Sequence, residues 1–107
     1  MVYAWEKLSA ALDSLVRSGP IQDRLESAAV AMVMLKPDDF FEDERPLFSI
    51  IVERLHTHED PKSGALAASA RKKSDEMAEK VACDIVSLFS GHMMALVYRA
   101  EEQNESE

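Results

Sequence analysis

Apolar residues return along this chain at intervals of three and four, the period of a helix that buries one side. Trp5, Leu8, Leu12 and Leu15, with Val16 beside them, form the first such stripe. Ser18-Gly19 supplies a stop, and Pro20 suits the first turn of a second helix, where a missing N–H costs nothing. On that helix Ile21, Leu25, Ala28, Met32 and Leu35 share a line. Lys36-Pro37 ends it, because the residue before a proline is driven out of the α region. From Ala28 to Leu35 no position is polar, so Val30, Val33 and Met34 predict a helix end that is central in the fold or lies in an interface.

Pro46 predicts the opening of a third helix carrying Leu47, Phe48, Ile51 and Leu55. The stretch Phe48 to Val52 is also rich in β-formers, but a lone strand among helices would have no partner. Asp60-Pro61 reads as a cap followed by a first-turn proline, and no proline comes after it. Met77, Val81, Ile85, Leu88 and Leu96 then line one side of a last helix. The pattern leaves open whether 61–102 is one helix or two, with a break between Gly64 and Ser74. The expectation is an all-α bundle of about four helices: two of about 16 residues, a shorter middle one and a long C-terminal one. It forms a single domain over 1–100, with an acidic disordered tail at 101–107.

Composition narrows the class. A chain of 107 residues, 47% apolar, supports one domain with a packed core. A single cysteine, Cys83, excludes an intrachain disulfide framework and fits a reducing compartment. No charged segment followed by an apolar run opens the chain, so a cytoplasmic location is expected. Residues 81–98 are largely apolar, yet Asp84 and His92 interrupt them and Ser87, Ser90 and Gly91 dilute them, which argues against a membrane span.

The formal charge of −8 is unevenly spread. Residues 37–44 hold five acids and 101–107 hold four, while the other 92 residues carry 11 acids and 12 bases. Nucleic-acid binding needs cations to replace phosphate counterions, and this balance opposes it. The one basic run, Arg71-Lys72-Lys73, reads as a solvated helix face. An acidic DNA-mimic inhibitor is a further reading, weakened because mimicry wants negative charge spread over a surface.

Candidate chemistry is sparse. Glu53, His56, His58 and Asp60 form the one cluster of metal-ligating types, with Glu53 and His56 at the spacing that places both on one helix face. A metal-binding protein or enzyme using this cluster is the alternative function. Capping explains the same residues: imidazoles suit a helix C-terminus, and Glu59 and Asp60 suit the next start. Cys83, among Val81, Ala82, Ile85 and Val86, reads as a buried small hydrophobe. No phosphate loop, dinucleotide glycine pattern or nucleophile elbow is present, so no cofactor is expected and catalysis is disfavoured.

Association is the better-supported theme. Phe40 and Phe41, flanked by Asp39, Glu42 and Asp43, could anchor in a basic-rimmed pocket of a partner protein, or plug the chain's own core. Ser87, Gly91 and Ala95, four apart, predict a close helix–helix contact. With Val30, Val33 and Met34 they make a candidate oligomer interface. The methionines read mainly as core filling. Together these features lead to the expectation of a homodimeric, non-catalytic interaction or regulatory module.

Overall fold

The computed structural model describes residues 2–55 and 73–106, which are entirely helical apart from turns and connections. Four α-helices run in order: α1 Val2–Leu15, α2 Ile21–Met32, α3 Arg45–Leu55 and α4 Asp75–Ser106. Two 3-10 turns, Pro37–Asp39 and Glu42–Glu44, carry the chain from α2 to α3. The all-α expectation is met, with no strand among the described residues.

α1 and α2 form a tight hairpin, and the residues that make it tight are small. Ala4 and Ala11 on α1 and Ala28 and Ala29 on α2 are fully buried beside Leu8 and Leu25. The stripe expected from Trp5 and Leu12 is therefore rotated: Ala4, Leu8, Ala11 and Leu15 face inward and Trp5 is exposed. Two alanines let the helix backbones approach where a tryptophan would hold them apart.

The hairpin turn rests on Gly19 and Arg24. Gly19 has φ +112°, a conformation in which a Cβ is strained. Arg24, reaching back from α2, donates to the carbonyls of Leu15 at 2.9 Å and Gly19 at 3.0 Å. It thereby supplies a cation and two donors to the open C-terminal end of α1. Gly19→Ala should cost about 1–2 kcal/mol of unfolding free energy. Chemical denaturation reads this as a lower midpoint at unchanged slope, and an unchanged midpoint would refute the strain.

α2 ends at Met32, short of the Leu35 end that the pattern gave. Leu35 still turns inward, but Val30, Val33 and Met34 are more than half exposed, so this apolar end is not central in the fold. α3 follows the expectation closely, with Phe48, Ile51 and Leu55 inward. Lys73 is a bend and Ser74 belongs to no regular element, so the last helix begins at Asp75. Ser74 caps it, its Oγ accepting the Met77 N–H at 3.2 Å. The helix then runs through Ser106, into the acidic stretch read above as a tail.

α4 packs against α1, α2 and α3 and, at 32 residues, is about 48 Å long at 1.5 Å per residue. Its inward line is Ala78, Val81, Ile85, Leu88 and His92. Gln22 fastens its start to α2, donating to the Lys73 carbonyl at 3.1 Å and to Asp75 Oδ1 at 2.6 Å. Arg54 of α3 pairs with Asp84 at 2.6 Å.

Candidate interaction surface

The acid-rich connection 37–44, an elbow of two 3-10 turns between α2 and α3, is an internal structure first. Asp39 Oδ2 accepts the Lys36 N–H at 2.8 Å, and Glu44 Oε1 accepts the Phe41 N–H at 2.9 Å. Each acid thus closes its own 3-10 turn from the third position back onto the residue before it. The phenylalanines between them turn inward. Phe40 is fully buried, 4.5 Å from Phe48 between ring centroids, and Phe41 is covered by the Arg99 guanidinium 4.0 Å above its ring. Of the two readings of Phe40 and Phe41, partner anchor or core plug, their burial fits the plug: both rings lie in the chain's own interior. Glu42 and Asp43 remain exposed and Asp39 partly so.

Beneath the elbow lies a pair that sequence reasoning missed. His92 of α4 is completely buried, and its Nδ1 lies 2.8 and 3.0 Å from the two oxygens of Glu44. A carboxylate only accepts, so the imidazole is the donor. Phe40 meets the imidazole edge-on and Phe41 lies tilted against it, each with centroids 5.5 Å apart. One carboxylate therefore holds a backbone N–H of the elbow and a side chain of α4 together, in a setting sealed by two aromatic rings. The signal was available: His92 falls on the inward line four residues after Leu88, and a buried imidazole requires a polar partner.

The remaining candidates fall out differently. Of the metal cluster, Glu53 is exposed on α3, while His56, His58 and Asp60 lie outside the described residues. Among the described residues no group of three or more His, Cys, Asp or Glu side chains is placed to hold a metal. Lys73, expected on a solvated face, is instead buried, and its Nζ donates to the Arg54 carbonyl at 2.6 Å at the end of α3. Burial first, and then the Arg54 guanidinium, hold its pKa below the usual 10.5. An open groove of about 340 Å³ between Leu35, Pro37, Phe48 and Val52 has Lys36 and Glu53 at its mouth.

The outer side of α4 departs from an ordinary protein surface. Cys83, Ser90 and Val97, seven residues apart, run down its middle, opposite the inward line. Val86 and Met93 flank them on one side, and Ser87, Met94 and Tyr98 on the other. All are exposed, Met94 at 70% and Tyr98 at 62%. Cys83 is thus not the buried small hydrophobe expected, since its neighbours in sequence point elsewhere around the helix. Of the methionines, Met32 fills core, whereas Met34, Met77, Met93 and Met94 face outward.

From Val81 to Tyr98 the one Asp, Glu, Lys or Arg is Asp84, which turns toward Arg54, and the one histidine, His92, is buried. The outer face itself, from Cys83 to Tyr98, therefore carries no Asp, Glu, Lys or Arg, and Asp84, paired with Arg54, stays partly exposed to one side of it. By length and composition α4 could also cross a membrane, although one side of it builds the core of the bundle. The small-residue line Ser87, Gly91 and Ala95 runs along the edge of this outer face. A Cβ added at Gly91 would meet nothing within 4 Å, so the chain's own described packing does not call for a glycine there. A mid-helix glycine costs about 1 kcal/mol relative to alanine. No protein-family model, curated protein or solved structure matches this chain.

Proposed function

We propose that this chain is a non-catalytic protein–protein interaction module of the cytoplasm that self-associates through the outer face of α4. The observation that carries the reading is the outer face from Cys83 to Tyr98, free of Asp, Glu, Lys and Arg, on a helix whose other side is already committed to the core. Monomeric proteins rarely leave so continuous an apolar strip to water, and such strips mark association sites. The elbow acids Glu42 and Asp43 and the apolar end of α2 at Val30, Val33 and Met34 remain on the surface for further contacts.

Sedimentation or light scattering across a concentration series tests this. Twice the 12.0 kDa chain mass is expected at micromolar concentration. Val97 is half exposed, so Val97→Glu should change folding stability by less than about 0.5 kcal/mol. The same change should weaken association about 100-fold or more, because pairing would bury the new carboxylate. A mass of 12.0 kDa at every concentration overturns the reading. Flotation of that monomer with phosphatidylcholine vesicles would assign the face to a lipid surface instead.

A further inference from the structure

Resting on that self-association, we propose that the two copies meet antiparallel along α4, across a two-fold axis at Ser90. The face is asymmetric in bulk about this residue. On its C-terminal side stand Met93, Met94, Val97 and Tyr98; on its N-terminal side stand Cys83, Val86 and Ser87. An antiparallel pairing lays the bulky half of each helix over the slighter half of the other. Met93 and Met94 then cover the partner's Ser87 and Val86, and Val97 covers the partner's Cys83. A parallel pairing sets Met93 against the partner's Met94 at one end and Val86 against the partner's Ser87 at the other, wedging the helices apart at the first and leaving a void at the second. Close packing penalises both faults.

The middle of the face supports the same crossing. Ser87, Ser90 and Gly91 are all exposed and small, so two backbones can approach there. Area is sufficient as well. The exposed part of this face amounts to roughly 600 Å² per copy, so pairing removes about 1,000 Å² or more in total, the threshold for a specific interface. Charge does not separate the two orientations, because both ends of α4 are net acidic.

Cysteine cross-linking on the full chain decides the orientation. In the antiparallel pair Cys83 lies opposite the partner's Val97. The two Cys83 residues are then 14 positions apart along the helix, about 21 Å at 1.5 Å per residue. A disulfide needs Cα atoms within about 7 Å. Oxidation, or a short bismaleimide, should therefore leave the natural chain unlinked while it sediments as a dimer. The double variant Cys83→Ser/Ser90→Cys should cross-link nearly completely under the same conditions. Efficient linking through Cys83 itself, or a dimer in which position 90 fails to link, overturns the antiparallel arrangement while self-association stands. A monomer by sedimentation overturns both.

Discussion

Phe40→Ala is expected to lower the stability of the fold by about 3–5 kcal/mol, the range for emptying a fully buried aromatic site. At about 4–8 °C per kcal/mol for a domain near this size, its melting point should fall by well over 10 °C. The ring has no exposed surface, stacks 4.5 Å from Phe48 and closes the edge of His92. Its removal leaves a cavity between elements from three parts of the chain, none of which can collapse inward without moving a helix. Thermal melting followed by circular dichroism measures the effect. If Phe40 were instead a surface anchor, the variant would melt within about 3 °C of the natural chain, and the placement of the elbow against α3 and α4 would be wrong. The elbow acids give the contrast. Glu42→Gln and Asp43→Asn, at exposed positions, should each fall within about 0.5 kcal/mol of the natural protein.

The elbow also shows how far the sequence could be read. Prolines 20 and 46 located the starts of α2 and α3, because a fixed φ and an absent N–H act locally. Helix faces were harder. Trp5 and Leu12 drew the first stripe because size weights the eye, whereas the packing of α1 on α2 is set by Ala4, Ala11, Ala28 and Ala29, whose contribution is closeness. Cys83 was judged by its neighbours in sequence, yet one residue is a rotation of 100° and its side chain emerges on the far side of α4. In the sequence the five acids of residues 37–44 look alike. Glu44 differs from the other four only in what α4 brings to it from 48 positions away, and no local pattern carries that information. The largely apolar run 81–98 is plain in the sequence, but only the fold shows that half of its circumference remains exposed.

Glu44→Ala is expected to be the most damaging change among the elbow acids, through the groups it strands. Glu44 Oε1 accepts from the Phe41 N–H at 2.9 Å and lies 2.8 Å from the Nδ1 of His92. Both donors sit where water is excluded, and a buried donor deprived of its acceptor costs about 1–3 kcal/mol. Losing both places the variant about 2–5 kcal/mol below the natural chain. Glu44→Gln separates hydrogen bonding from charge. Its amide oxygen can take the place of Oε1 and accept from both donors, but its NH2 then stands where Oε2 lies 3.0 Å from Nδ1, so only part of the loss should be restored. His92→Leu supplies the other edge of a double-mutant cycle, since leucine fills the inward line of α4 without asking for an acceptor. With His92 already replaced, Glu44→Ala strands only the Phe41 N–H and should cost about half as much. A coupling between the two sites of less than about 0.3 kcal/mol, within the additivity of independent positions, would mean that the pair does not join the elbow to α4. A coupling of 1 kcal/mol or more, of the order of one such stranded donor, would make this one carboxylate the tie between the acidic elbow and the helix whose outer face we assign to association.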